Sequence, residues 1–387
     1  MVASEVVTRL RSLPAGVRLL AAVDAGGPAW LVGGAVRDLL LGREPLELDV
    51  AVDGDVAPLA AALGGVAVFH EAFGTATVTD GELRFDLART RTESYPEPGG
   101  LPVVEPAGID ADLARRDVTV NAIAVSLPGG RVVAADLAPA DLEARVLRVL
   151  HDRSFSDDPT RVWRIARYAA RLGFEVDPHT AALAAVARPG AVSGERIGNE
   201  LRLLLAEPDP LAALHELAAL NPNVLPEGFD PAPAGVADAL ALLPREGRAE
   251  LVIAAACSAA MDLDLLFRWL DHLQFPGQDR DVIAAASRWV TGAPLRAAAR
   301  PSEIARAARG APIEAVALAG GPNARRWIDE LRHVRLQVGG DDLLAAGIAQ
   351  GPQIGERLQQ VLDRVLDGEL DGRDAQLAAA LAAAPQA

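Results

Sequence analysis

The sequence predicts an α+β fold, with a mixed sheet-and-helix head at about residues 1–150 and an all-helical remainder to residue 387. Three observations predict it. Short β-like runs separated by glycine turns crowd residues 28–150. From about residue 151 the chain becomes Ala-, Leu- and Arg-rich, with helical periodicity and almost no strand-like run. Pro/Gly breaks near 208–210, 222–236 and 298–301 then cut that helical part into pieces. The expected division is a head at 1–150, a neck at 151–206, a body at 207–300 and a tail at 301–387.

Composition sets the outer bounds. A chain of 387 residues, half of them apolar, is long enough for several real cores. No apolar run approaches the roughly 20 residues of a membrane helix, so no membrane association is expected. The opening residues lack the long apolar region of a signal peptide. A single cysteine, Cys257, excludes a disulfide framework and fits a reducing cytoplasm. The six histidines are scattered, which argues against zinc. His151-Asp152 has no second histidine motif at a sensible distance, so a phosphohydrolase pair is rejected. All 37 basic residues are arginine, against 53 acids, for a formal charge of −16. Any phosphate contact must therefore use guanidinium forks or backbone N–H groups, in local patches and with salt sensitivity.

Residues 1–27 read as a short leading helix and turn. The stretch Ala29-Trp30-Leu31-Val32-Gly33-Gly34 is an apolar strand running into two glycines, with a helix starting at once. Glycine lets a ligand approach the backbone, and a helix start offers free N–H groups to phosphate. Most Gly-Gly pairs are simple turns, but the run from Leu46 to Val52 alternates strictly. Leu46, Leu48, Val50 and Val52 are expected to face the core, and Glu47 and Asp49 to share the opposite face. A third acid, Asp86, lies on another strand-like run, Leu83 to Leu87. A glycine pair, two strand carboxylates and a third carboxylate form the layout of a two-metal phosphoryl-transfer site.

Residues 159–172 read as a helix with Pro159 in its first turn and an apolar stripe of Val162, Ile165, Ala166, Ala169 and Leu172. Asp158 and Arg161 are three apart and should project near one another. On residues alone, a capping acid paired with a first-turn arginine is the preferred explanation, ahead of a base-reading pair. Arg164, Arg167 and Arg171 are equally open to solvent, acid pairing or RNA phosphate. Glu195 and Arg196 are expected to brace the helix rather than touch substrate.

The ordered motifs carry a resemblance. Gly33-Gly34-x-Val36-Arg37-Asp38 with Leu41-Gly42-Arg43 and the Glu47/Asp49 pair resembles the first motif of class II tRNA nucleotidyltransferases and bacterial poly(A) polymerases. These families belong to the polymerase-β-like superfamily. Asp86 to Glu93 resembles their third-carboxylate segment and flexible loop, and Arg115-Arg116-Asp117-Val118-Thr119-Val120-Asn121-Ala122 resembles a further motif. Asp157-Asp158-Pro159-Thr160-Arg161 through Phe174, and Ser193-Gly194-Glu195-Arg196-Ile197 with Glu200, are similar to two more. A weaker match spans Gly340 to Gly355. Glu47 stands where that family usually has Asp.

The resemblance implies a polymerase-β-like head followed by an extended helical neck, body and RNA-binding tail. The implied reaction is template-independent addition to RNA 3′ ends, most specifically CCA addition to tRNA from CTP and ATP with Mg²⁺. Poly(A) addition, CC-only or A-only addition, and an inactive RNA-binding relative are the alternatives. Glu47, Asp49 and Asp86 are the implied catalytic and metal-binding acids. Gly33, Gly34, Arg37, Arg116, Asp117, Asn121, Asp158, Arg161 and Arg164 are the implied nucleotide-binding set. Arg116 and Asp117 would read ribose and phosphates, and Asp158 and Arg161 the base edge. The tRNA acceptor half would be held by shape and backbone contacts; nothing in the sequence identifies a protein partner.

Overall fold

The computed structural model describes residues 3–70, 74–190 and 192–383. Residues 1–2 of the expected head and 384–387 of the expected tail lie outside these. The chain divides into two compact units, Met1–Leu225 and Pro226–Ala387.

The first unit is built on a mixed sheet. Strands β1 (Ala29–Val32), β2 (Leu48–Val52), β3 (Val66–His70), β4 (Thr75–Asp80) and β5 (Leu83–Arg89) come first. The β6 (Arg91–Ser94) and β7 (Val103–Pro106) hairpin follows, then β8 (Ile123–Leu127) and β9 (Val132–Ala134). Seven of these form one sheet in the order β3-β4-β5-β2-β1-β8-β9. β2 and β5 run parallel, and the other neighbours are antiparallel. The crossover from β2 to β5 passes through the Ala57–Leu63 helix and the β3–β4 hairpin.

The centre of the sheet is buried on both faces. On one, Trp30, Val32, Ala51, Ala122 and Ala124 pack with Ile109 and Leu113 of the Ile109–Ala114 helix. Leu31, Leu48, Val50 and Leu87 are buried with opposite pleat parity. This explains why β1 reads as a continuous apolar run while β2 alternates near its start.

Leu46 departs from expectation. It is 92% exposed, whereas Leu48, Val50 and Val52 are buried as expected. Pairing between β2 and β5 begins at Leu48 opposite Phe85, so Leu46 lies before the sheet. Alternation alone does not locate the first paired residue.

The helix expected at 159–172 spans Arg161–Leu172, preceded by a one-turn helix at Ser154–Asp157. Pro159 is outside it. Proline disfavours helical backbone at the residue before it, and Asp158 is extended at φ −137°. The full predicted stripe, Val162 to Leu172, is buried. The Gly194–Leu205 helix and the Pro210–Leu220 helix pack on this element. The chain consequently divides after Leu225, beyond the expected joint at 206/207, because Leu214 and Leu217 are buried within the first unit.

The second unit is helical throughout its described residues, as expected. Ala249–Cys257 and Ile313–Ala319 are its most buried helices. Leu295, Ile304, Val316, Ile328 and Leu331 form one core, and Leu343, Val361 and Ala380 a smaller one near the C-terminal end. Among the described residues no helix is long and apolar enough to cross a membrane.

Candidate active site

Strand β1 passes directly into the Gly33–Leu40 helix. Gly33 has φ +66°, and a Cβ there would lie 2.7 Å from an Arg116 guanidinium nitrogen and 3.6 Å from Asp49 Oδ2. The backbone therefore demands glycine, and any side chain there would push the Arg116 guanidinium aside. The first N–H groups of a helix have no intrahelical partner, and Gly33, Gly34 and Ala35 line a cavity of about 690 Å³. All twelve residues singled out from the sequence line that cavity.

The three acids meet on one side of it. The parallel register sets Asp49 opposite Asp86. One carboxylate oxygen from each of Glu47, Asp49 and Asp86 lies within 4.8 Å of the others. Thr77 donates to Asp86 Oδ1 at 2.6 Å, which fixes that carboxylate's rotamer. Burial pushes Asp49 up to about 6 despite the nearby Arg116, and Asp86 adds to the rise. Burial, then Asp49 and Asp86, raise Glu47 as well. Hard oxygen donors crowded until ionisation is penalised are what a divalent cation relieves. This donor set fits such a cation.

Basic groups form the opposite wall. Asp112, fully buried, binds Arg115 at 2.7 Å and Arg116 at 2.9 Å. Arg116 Nε is buried with no partner among the described residues. Arg37 is 2% exposed; it donates to Asn121 Oδ1 at 2.5 Å and to Asp38 at 2.9 Å. It ties the glycine-bearing helix to the Thr119–Asn121 turn.

Asp117 is the hub behind this wall. Its Oδ1 accepts from the Val118 N–H and from Asn121 Nδ2. Its Oδ2 accepts from Arg164 Nε, Arg164 Nη2 and the Tyr168 hydroxyl. Burial alone would raise Asp117, but Arg164 and Asn121 hold it well below the usual carboxylate range. Arg164 also reaches Glu200 at 3.4 Å, and Arg167 joins Glu200 to Glu207. Of the three readings open for the neck arginines, acid pairing is what this structure contains.

Asp158 and Arg161 both line the cavity, and Arg161 N–H donates to the Asp158 carbonyl, but their side chains turn to other partners. Asp158 Oδ1 accepts from Thr160 N and Oγ1 and is 2.9 Å from Arg196. Arg161 donates to Ser154 Oγ and the Arg115 carbonyl, both at 2.7 Å. Arg196 also donates to the Gly99 carbonyl, so it links Asp158, just before the helix, to the loop at Gly99.

Sequence reasoning missed Arg84, Asp112 and Tyr168. Each had a local signal. Arg84 is two residues before Asp86 on one strand face, Asp112 one helical turn before Arg116, and Tyr168 one turn after Arg164.

Residues 29–148 match the family model described as the poly A polymerase head domain. The chain is 42% identical over 207 residues to the A-adding tRNA nucleotidyltransferase of Geobacter sulfurreducens, covering 50% of this chain and 23% of that relative. It is 44% identical over 207 residues to the CC-adding tRNA nucleotidyltransferase of Deinococcus radiodurans, covering 51% of this chain and 55% of the relative. The matched stretch thus spans between about a quarter and a half of these relatives' length. Along its whole length the chain resembles a CCA-adding enzyme in apo form, with a TM-score of 0.79, 25% identity and 99% of each chain covered.

Proposed function

We propose, from a head whose residues 29–148 match the poly A polymerase head-domain model, that this chain extends the 3′ end of tRNA without a nucleic-acid template. The observation that carries the proposal is one cavity holding a three-carboxylate cluster, a glycine-opened helix start and the Asp158/Arg161 corner. The reaction is NTP + RNA-3′-OH → RNA-NMP + pyrophosphate. A bond forms from the 3′-oxygen to the α-phosphorus. The bond to the bridging oxygen of the leaving pyrophosphate breaks, and the hydroxyl proton passes to solvent.

Glu47, Asp49 and Asp86 would hold Mg²⁺. Bound there, Mg²⁺ supplies activation of the attacking hydroxyl and charge stabilisation of the leaving group. Gly33 and Gly34 admit the triphosphate to the helix start, where backbone N–H groups face anions. Arg116 lines the same cavity and brings its guanidinium charge to those phosphates. Asp117 serves by position: with five protein donors on its carboxylate, it fixes Arg164 and Asn121 around the sugar site. Asp158 accepts from an exocyclic base amine while Arg161 donates to ring acceptors, a match to cytosine and adenine but not to uracil and guanine.

Complete CCA addition from CTP and ATP is the reading the whole-length likeness supports. A second reading, A-only or CC-only addition, is favoured by the names of the more identical relatives. Purified protein incubated with tRNA transcripts ending before CCA, or after CC, and each labelled NTP separates them. Addition of C, C and A to the shorter transcript supports the first. Extension of only one transcript supports the second, and no extension of either overturns the proposal.

A further inference from the structure

The three carboxylates are not neutralised alike. The inner one, Asp49, is partly buried and feels Arg116 most strongly among the cations. The outer two share a different guanidinium. Arg84 places Nη2 3.0 Å and Nε 3.1 Å from Asp86 Oδ2, and Nε 3.2 Å from Glu47 Oε2. Arg84 and Asp86 sit two apart on β5, so they leave the same face. Glu47 stands just before β2, whose first residue is registered to Phe85. That register brings residue 47 alongside residue 84, although the two are far apart in sequence. The longer arm of Glu spans the remaining gap.

Several arginines of this chain pair with two acids, but elsewhere those acids do not form a three-carboxylate cluster among the described residues. Arg84 bridges two of the three acids whose oxygens lie within 4.8 Å of one another. It remains half exposed, with a side-chain exposure of 52%, so it can leave without being dragged out of a core. We propose that Arg84 is a counter-ion latch. It holds Glu47 and Asp86 in register while the carboxylate cluster is empty, and it must release both when a divalent cation binds. Arg84 is therefore a positioning residue that competes with the cation for the same oxygens. This inference rests on the proposed reading of the acid cluster as a cation site.

The geometry has a definite consequence. In the cation-free protein Arg84 stabilises the fold by offsetting repulsion between like charges. In the loaded protein it is a displaced competitor of the same sign as the cation. Removing it should therefore move stability and affinity in opposite directions, which an arginine needed merely for local packing would not do.

The test uses the full chain and Mn²⁺ as the probe. Free Mn²⁺ is counted by electron paramagnetic resonance at neutral pH, and melting temperature is read with and without Mn²⁺. Wild type, Arg84→Ala, Arg84→Met and Asp49→Ala are compared. Arg84→Met keeps the aliphatic stem, so it stands in if Arg84→Ala fails to fold. The latch predicts that Arg84→Met and Arg84→Ala bind Mn²⁺ about three- to tenfold more tightly, the range expected for losing partly exposed ion pairs. It also predicts a lower melting temperature without metal and a larger rise on adding Mn²⁺. Mn²⁺ affinity equal to or weaker than wild type in both Arg84 variants overturns the latch. Asp49→Ala binding Mn²⁺ as well as wild type would instead overturn the cation site itself, whatever the Arg84 variants do.

Discussion

Arg164 and Asp117 lie 47 positions apart, yet two nitrogens of the Arg164 guanidinium converge on one oxygen of Asp117, at 2.9 and 2.7 Å. The contact joins the Arg161–Leu172 helix to the turn that carries Asn121. Through Asn121 and Arg37 it continues to the glycine-bearing helix. The Asp158/Arg161 corner and the start of the glycine-bearing helix are thus tied by one largely buried polar chain. Such a chain is stable only when every member is satisfied.

Asp117→Asn should lower stability by about 2–3 kcal/mol, because it removes the carboxylate that neutralises the Arg164 guanidinium. Arg164 is partly solvated, which keeps the loss below that of a fully enclosed pair. The direction of the pH dependence comes from the lowered pKa of Asp117. Its contribution is complete above the ordinary carboxylate range, near pH 4, and disappears as pH falls below that. Melting temperature against pH should fall less steeply in acid for Asp117→Asn than for wild type. Activity with ATP and dATP should drop together in Asp117→Ala; a loss confined to ATP would show direct ribose contact instead.

Asp49→Ala should abolish nucleotide addition while leaving the fold intact, as judged by circular dichroism and elution volume. Residual activity above a few per cent would remove Asp49 from the site. Glu47→Asp should keep or raise activity. A collapse would show that this site depends on the longer arm.

Gly33→Ala should raise the KM for NTP at least tenfold. The left-handed backbone costs a non-glycine residue about 1–2 kcal/mol, and the new methyl would press on the Arg116 guanidinium. An unchanged KM would mean that the helix start does not receive the triphosphate.

Asp158→Ala should damage choice among nucleotides. Losing one hydrogen-bonding partner costs roughly 1–3 kcal/mol of discrimination, about 5- to 150-fold. UTP and GTP incorporation should rise relative to CTP and ATP. Asp158 also caps Thr160 and binds Arg196, so a fall in melting temperature is expected alongside. A lower melting temperature with unchanged four-nucleotide specificity would leave Asp158 with a capping role only.

The sequence by itself determined what depends on local periodicity. Alternation at period two placed Glu47 and Asp49 on one strand face, and the period of 3.6 gave the buried stripe from Val162 to Leu172. The two glycines marked the turn at Gly33, because left-handed backbone is written into residue type. Tertiary structure decided every pairing between segments. The β2–β5 register set Glu47 beside Arg84 and left Leu46 outside the sheet. The docking of helices chose Arg196 rather than Arg161 as the partner of Asp158. It also turned Arg164 onto Asp117 and drew the Pro210–Leu220 helix into the first unit. Periodicity fixes the direction in which a side chain leaves its own element. What it meets there depends on register and packing between elements, which many sequence-compatible pairings satisfy until burial and charge select one.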